Sequence, residues 1–537
     1  VFPTGFRKDG WARLDRDLDL LVIGGGITGA GILHDAALRG AAVALVERGD
    51  FGSGTSSRSS KLIHGGLRYL RRMQLRITRT ACRERDLLAL SNPHLVRPVR
   101  FLYPSYEDDA TPGWQVDLGL AMYDHLTPVR HRHEKVDGTT AAALVPSLAS
   151  DGLEFGLLYD DAVADDARLV LAVIAAGVLA GGTAISYAAV DGLVRDGGGR
   201  VVGAVVRDLE SGSVREVRAR VVVNATGVWC DEVRAMAGLA HAKLRPSRGS
   251  HLLFSGARLP LEVAVTALSP DDGRPVFAVP HPEGTLVGTT DLFHSGPLDD
   301  PRPTADEIAY LLRFAQHVFP GGRLSMGDVT GAFAGVRPVL GSAVEDPSAA
   351  SREEAVWVER GLVSTAGGKL TTFRATAEKV VNAAVRRLPE GRRDALGSPR
   401  SATVALPWRG DPVELVRNMR HLGADEGVAT GMVRRLGALA LPAAAADPDG
   451  LQPVAEGLDV SRAELVWQLR FGAVEHLEDL LLRRIRLGMW QPRLCLDLAP
   501  RLRPVLRRAA GWGVARWNAE LKRLRRAVGN WLPPEAA

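Results

Sequence analysis

Asp19-Leu20-Leu21-Val22-Ile23-Gly24-Gly25-Gly26-Ile27-Thr28-Gly29 opens the segment that decides the fold. An Ala-rich stretch runs on to Arg39, and a second apolar run, Ala41 to Val46, closes on Glu47. This reads as a buried strand, a Gly-x-Gly-x-x-Gly turn, a helix and a second strand ended by an acid, the βαβ pattern that binds a dinucleotide. Gly24 permits the tight turn, Gly26 lets the backbone approach a pyrophosphate, and Gly29 lets helix and strand pack closely. At Ile27 and Thr28 the helix N-terminus presents unpaired N–H groups and its positive dipole end to the phosphates. Glu47 is placed to hold both ribose hydroxyls and to repel a 2′-phosphate.

The residues after Glu47 narrow the choice of dinucleotide. A nicotinamide enzyme usually continues with another short βαβ unit. Here the chain runs Gly54-Thr55-Ser56-Ser57-Arg58-Ser59-Ser60-Lys61-Leu62-Ile63-His64-Gly65-Gly66. Small hydroxyl residues and glycines suit a loop lying against a large flat cofactor, although a surface Ser/Thr loop has the same composition. Two distant segments turn the reading toward a flavin. Val221 to Trp229 is a strand ending in the small-residue turn Ala225-Thr226-Gly227. Gly361 to Thr372 is a strand, a Gly367-Gly368 turn and a helix start carrying Lys369, Leu370 and Thr371. That helix N-terminus and Lys369 can stabilise negative charge on a reduced isoalloxazine.

Together these motifs resemble the FAD-dependent glycerol-3-phosphate dehydrogenase family, a relative of the amino-acid-oxidase type of flavoenzyme. The resemblance rests on Gly24 to Gly29, Thr55-Ser56-Ser57 with Lys61 to Leu70, Met122-Tyr123-Asp124-His125-Leu126 and Asp165-Asp166-Ala167-Arg168-Leu169. Asn224-Ala225-Thr226-Gly227, Gly249-Ser250-His251, Gly288-Thr289-Thr290-Asp291, Gly335-Val336-Arg337-Pro338 and Gly367 to Thr372 continue it in family order. Lys-Leu-Ile-His-Gly-Gly-Leu-Arg-Tyr-Leu is its most specific part. The C-terminal third matches more loosely, through Leu477-Glu478-Asp479 to Arg484 and Leu487-Gly488.

The implied fold is mixed α/β. A Rossmann-like FAD-binding domain of the glutathione-reductase/amino-acid-oxidase type takes residues 15–105, 160–240 and 355–390. An interleaved antiparallel-sheet substrate domain takes 106–160 and 241–355, and a helical cap takes 402–537. Gly192 to Val222 reads as an antiparallel meander broken at Asp196-Gly197-Gly198-Gly199 and Ser211-Gly212. Val454 to Arg486 has a strong helical period, and linkers are expected at Glu390 to Ser401 and Leu441 to Gly450.

The implied reaction is oxidation of sn-glycerol 3-phosphate to dihydroxyacetone phosphate, with electrons passed on to membrane quinone. A hydride leaves the carbinol carbon for flavin N5 while a base takes the hydroxyl proton. By the same resemblance Arg337 and Arg352 clamp the phosphate, since a planar guanidinium meets phosphate oxygens bidentately. Arg68 and Tyr69 match the family's pair beside flavin and substrate, Arg68 polarising the reacting oxygen and Tyr69 bonding to it. His251 is the candidate base, because histidine titrates near working pH; a purely structural histidine is the competing reading. Lys369 serves both flavin and substrate, and His64 is a cofactor contact. Thr289, Thr290 and Asp291 either line the same cavity or form an ordinary turn. Thr55, Ser56, Ser57, Ser60, Lys61, Leu62, Gly65 and Gly66 make up the flavin loop. Two alternatives stay open: an oxidase returning electrons to oxygen as peroxide, and an amino-acid or amine oxidase of the same fold. Oxidases of the family carry a sizeable insertion in the substrate half, and none is evident.

Composition agrees with such an enzyme. The 537 residues are 46% hydrophobic, enough for two or three cores and too many for a disordered chain. Three scattered cysteines suggest a reducing compartment and give no metal pattern. Arg7, Lys8, Arg13 and Arg16 precede Asp19 without an apolar run, so no secretory signal is expected and a cytoplasmic setting is. The net charge of +5 is concentrated after Gln491, where ten bases face three acids among Trp512, Trp517 and Trp531. Such a helix can lie on an anionic membrane surface at the inner face of the cell membrane. Its competing reading is a solvated face whose tryptophans pack on the cap. No nucleic-acid module accompanies the charge, and a homodimer is compatible with the sequence.

Overall fold

Six residues from Leu18 to Ile23 are all buried, and this apolar strand forms the middle of the first sheet. The computed structural model describes residues 2–67, 74–109, 111–127, 132–239, 241–341 and 354–533. The sheet runs Ala355–Glu359, Leu362–Ala366, Val214–Asn224, Leu18–Ile23, Val43–Val46 and Thr183–Ile185. Its four inner junctions are parallel and the Ala355–Glu359 edge is antiparallel. Strands Ala188–Arg195 and Val201–Asp208 extend it as a meander against the start of Val214–Asn224. Helix Ile27–Leu38 packs between helices Asp166–Leu179 and Phe373–Val385. The absence of a Cβ at Gly29 makes the first turn possible, since one would fall 1.8 Å from the Gly24 carbonyl oxygen.

A second sheet carries the other half of the site. Its order is Leu292–Phe293, Ser247–Phe254, Gly284–Gly288, Pro275–His281, Ala264–Leu268, Val96–Tyr106, Leu153–Ala164 and Leu62–Ile63. Val329–Arg337 also pairs with Ser247–Phe254, and only the Ala264–Leu268 to Val96–Tyr106 junction is parallel. Helix Ala305–Val318 covers it, opened by a capping box between Thr304 and Glu307. The mixed α/β class is therefore met. Two strands fall differently from the sequence reading: Leu62–Ile63 and all but the last residue of Val96–Tyr106 lie within residues 15–105 yet join the second sheet. Val96–Tyr106 pairs along its whole length with Leu153–Ala164, and no local pattern announces a partner so far downstream.

The C-terminal third is helical but not as the periodicity suggests. Val454 to Arg486 holds two separate helices, Arg462–Phe471 and the π-helical Asp479–Arg484. Between them the Asp479 carboxylate accepts the N–H groups of Glu475 and His476 and starts the second helix afresh. The expected linker at Leu441 to Gly450 is instead helix Ala440–Ala446 and a short turn, because its alanines are strong helix formers that bury. The last helix, Val514–Gly529, turns its tryptophan inward: Trp517 is 1% exposed, and Trp531 just beyond is 6% exposed. The aromatic side of the tail is thus taken up by the protein's own core and is not presented outward. Among the described residues no helix is long and apolar enough to cross a membrane.

Basic residues of Asp479–Arg484 and its flank fix this third to the first sheet. Arg484 donates to both oxygens of the buried Asp50 at 2.6 and 2.8 Å, Arg483 adds a further contact, and Arg486 meets Asp166 at 2.9 Å.

Candidate active site

One cavity of 1820 Å³ is lined from both sheets and from the C-terminal third. Every described residue read from sequence as a cofactor or substrate contact lines it, except Gly29, Lys61, Gly65 and Thr290. Arg68, Tyr69 and Arg352 lie outside the described residues.

At one end stand Gly24, Gly26, Ile27, Thr28 and Glu47. The Glu47 carboxylate accepts the N–H groups of Gly25 and Gly49 at 2.6 and 2.8 Å, and burial pushes its pKa up. The helix N-terminus is not wholly bare, as the sequence suggested: Ile27 N–H donates to Ser56 Oγ at 2.9 Å. The rest of the first turn remains for an anion. Beside it the Arg48 guanidinium lies 4.3 Å over the Trp229 ring, giving this end a flat cationic and aromatic wall.

In the middle, Thr55 Oγ1 donates to the Val336 carbonyl at 2.6 Å and so ties the Ser/Thr loop to the strand bearing Arg337. Ser57, Leu62, Ala225, Thr226 and Gly227 line this part too. Lys61 does not. Its Nζ is 3.0 Å from both oxygens of Asp166, 2% exposed, with burial first and Arg486 second lowering its pKa to about 8. The Asp165-Asp166 motif thus serves packing: Asp165 caps the helix and Asp166 neutralises Lys61 and Arg486. Gly65 also faces inward. A Cβ there would fall 2.2 Å from Tyr123 Oη. Its N–H donates to Asp161 Oδ1 at 3.1 Å, and the same oxygen takes Tyr123 Oη at 2.8 Å and Arg85 Nη1 at 2.7 Å. This explains why Met-Tyr-Asp-His-Leu stands in the sequence: Tyr123 braces the loop of His64, Gly65 and Gly66. Across the cavity, His64 N–H donates to Thr371 Oγ1 at 3.1 Å, which binds that loop to the Gly367, Gly368, Lys369 and Leu370 turn.

The other end gathers the polar chemistry. His251 lies on strand Ser247–Phe254 and is 1% exposed, stacked on Phe333 with centroids 4.7 Å apart. Its Nε2 is 2.8 Å from Ser60 Oγ, while Nδ1 is buried without a hydrogen-bond partner among the described residues. Burial, then Arg337 and Lys61, hold its pKa well below the usual imidazole range, so the ring is neutral. Arg337 closes strand Val329–Arg337, with Nη1 3.2 Å from Asp291 Oδ1 and Nη2 donating to Thr289 Oγ1 at 3.0 Å. Its fork lies over Gly249, where a Cβ would meet Nη2 at 2.1 Å. Asp291 is steadied by Ser247 Oγ at 2.5 Å. Thr290 instead turns into the core and donates to the buried Glu307 at 2.7 Å. Arg274, Trp229 and the C-terminal wall at Arg483 and Trp531 were not read from sequence, although Arg274-Pro275 repeats the Arg-Pro step of Arg337-Pro338. The arrangement can hold a long two-ended cofactor and, at its Arg337 end, a small anion beside a neutral base.

The FAD dependent oxidoreductase family matches residues 19–383, and the C-terminal domain of alpha-glycerophosphate oxidase matches residues 405–517. Glycerol-3-phosphate dehydrogenase 2 of Mycobacterium bovis is 36% identical over 96% of this chain and 89% of its own length. Aerobic glycerol-3-phosphate dehydrogenase of Bacillus subtilis is 35% identical over 77% of this chain and 75% of its own. Among solved structures, the glycerol-3-phosphate dehydrogenase from Bacillus halodurans complexed with FAD superposes with a TM-score of 0.82 at 27% identity, covering both chains fully. The L-alpha-glycerophosphate oxidase from Mycoplasma pneumoniae shares the fold, with a TM-score of 0.55 over 73% of this chain.

Proposed function

The chain belongs to the FAD-dependent glycerol-3-phosphate dehydrogenase family, and from that premise we propose that it oxidises sn-glycerol 3-phosphate to dihydroxyacetone phosphate and passes the electrons to membrane quinone. The observation that carries the reading is the meeting of Arg337, Thr289 and His251 at one end of the cavity whose other end is Gly24, Gly26 and Glu47.

FAD fits the residues present. Gly24 and Gly26, the first turn at Ile27 and Thr28, and Glu47 would hold its adenosine diphosphate half; Ser56, Ser57, His64 and Gly367 to Thr371 would hold its ring half. The Nδ1 of His251, buried and without a hydrogen-bond partner among the described residues, is a polar atom that a bound ligand can satisfy. When bound, FAD supplies the two-electron acceptor for the carbinol hydride. Arg337 clamps the phosphate by its planar fork, with Thr289 and Asp291 fixing the angle of that fork, and so contributes by orientation. His251 takes the hydroxyl proton at Nδ1 while Nε2–H donates to Ser60 Oγ, which sets the tautomer. The low pKa keeps that lone pair available across the working range, at some cost in driving force for the transfer. Lys369 stabilises negative charge that builds at the same end.

The quinone reading draws support from the dehydrogenase relatives, which match nearly the whole chain. Contact with an anionic membrane surface would then rest on charge alone, through the exposed Arg501, Arg503, Arg508, Lys522 and Arg525. Return of electrons to oxygen is the second reading, favoured by the match of residues 405–517 to an oxidase C-terminal domain.

Anaerobic mixing of the FAD-loaded protein with sn-glycerol 3-phosphate, followed by flavin absorbance, tests the proposal. Bleaching that recovers quickly with a soluble quinone and slowly in air is the expected result. Rapid recovery in air with peroxide would make it an oxidase, and absence of bleaching would remove the substrate.

A further inference from the structure

We infer that Arg274 is a second phosphate-binding arginine of this site, an inference that rests on the glycerol-3-phosphate reading above. Arg274 ends the turn between strands Ala264–Leu268 and Pro275–His281 and lines the cavity together with Arg337, Thr289 and His251. The turn is closed by its own main chain, Ser269 N–H donating to the Arg274 carbonyl at 2.8 Å and Gly273 N–H to the Ser269 carbonyl at 2.9 Å. Pro275 then restricts the backbone of Arg274, as Pro338 does that of Arg337.

The two guanidiniums are anchored on one short segment. Arg274 Nη1 donates to the Asp291 carbonyl at 3.0 Å, while Arg337 Nη1 donates to the Thr290 carbonyl at 3.4 Å and meets Asp291 Oδ1 at 3.2 Å. Both therefore reach the cavity wall at the same place from different strands. A phosphate monoester carries about −1.5 to −2 charge, so a second guanidinium beside Arg337 and Lys369 suits it. Asp272, 3.4 Å from Arg274 Nε, is 35% exposed in its side chain, where solvent screens it. A five-donor fork can bridge Asp291 and a phosphate at once, which a lysine cannot do with the same geometry.

Stopped-flow flavin reduction with the FAD-loaded wild type, Arg274→Ala, Arg274→Lys and Arg337→Ala tests this, with inorganic phosphate as a competing probe. Arg274→Ala is expected to raise the half-saturating concentration of sn-glycerol 3-phosphate about 10- to 100-fold, the loss of one charge-assisted contact. It should weaken inhibition by inorganic phosphate by a similar factor and leave the saturated rate within about threefold. Arg274→Lys should recover part of the phosphate affinity. Unchanged half-saturation and phosphate inhibition, with wild type still bleaching, would overturn the role of Arg274 alone. So would a fall in the saturated rate with phosphate inhibition untouched, which is the pattern of a bracket that only positions Thr289 to Asp291. A wild type that does not bleach would overturn the substrate and this inference together.

Discussion

Ser60 Oγ lies 2.8 Å from His251 Nε2, and the opposite nitrogen of the ring is buried and met by no group among the described residues. The serine fixes which face of the imidazole is used, and the Phe333 stack fixes its plane. His251→Gln should therefore lower the saturated rate of flavin reduction by about 10²- to 10⁴-fold, with substrate affinity changed only a few-fold. Ser60→Ala should cost about tenfold by freeing the tautomer. Because burial depresses the imidazole pKa, the rate should show no limb near pH 6.5 from this group. A clear titration there, lost in His251→Gln, would contradict the neutral buried ring.

Asp161 Oδ1 joins Gly65 N–H, Tyr123 Oη and Arg85 Nη1 in one buried knot behind the cavity wall. Asp161→Ala removes the carboxylate that three donors share and leaves Arg85 to Asp86 alone, at 2.8 Å from Nε; breaking a buried pair costs about 3–5 kcal/mol, and the remaining partner puts the loss at the lower end of that range. Tyr123→Phe removes two hydrogen bonds, one donated to Asp161 and one accepted from Arg85 at 3.1 Å, and should cost about 2 kcal/mol. Urea unfolding of the two variants, with flavin content measured alongside, should rank them in that order. Equal stability of Asp161→Ala and wild type would mean that the loop stands without its brace.

His476 clasps the turn after Val201–Asp208 to the last helix, with Nε2 3.0 Å from Glu210 and Nδ1 2.9 Å from Glu520. Burial alone would lower its pKa, but the two carboxylates outweigh that and raise it to about 9. A raised pKa in the folded state means stability present below about pH 6.5 and lost as pH climbs through about 9. The loss should be on the order of 2 kcal/mol, seen as a falling urea midpoint between about pH 6 and 9.5. His476→Gln should flatten that slope. A slope unchanged in the variant would assign it to another group.

Outward charge, not inward tryptophan, is what the C-terminal helices offer a membrane. Trimming the chain near Gly511 would remove the buried Trp517 and Trp531 and damage the core, so it cannot report on membranes. Reversing the exposed Arg501, Lys522 and Arg525 to glutamate should leave the unfolding midpoint unchanged. Sedimentation with anionic vesicles should fall severalfold and become insensitive to salt. Equal binding by both forms would end the membrane role of this face.

The glycine turn, both early strands and the meander were legible because each is a local pattern of burial or turn chemistry. The cavity's many contacts were legible for a different reason: motifs far apart in sequence each carry small or hydroxyl residues at a strand end. Lys61 and Gly65 were misplaced because loop composition cannot say which side of a loop faces in. Lys61 turns away only because Asp166, more than a hundred residues on, sits beneath it. Arg274 was missed because a lone arginine in an Asp-Gly turn looks like any solvated hairpin until its strand is set beside Thr289 to Asp291. The helical period of Val454 to Arg486 does not show the break into two helices, because Asp479 captures the preceding N–H groups, an event that apolar spacing does not encode.

Asp50 stands three residues after Glu47, and its carboxylate is held by Arg483 and Arg484 from the far end of the chain. The Glu47 end of the cavity and the helical third are consequently not interchangeable parts. A chimera that takes its first hundred residues from one relative and its last hundred from another must import the acid and its two bases as a matched set. Where the set is broken, a buried charge is left unanswered three residues from Glu47, and the hybrid is expected to lose flavin before its substrate end has been touched.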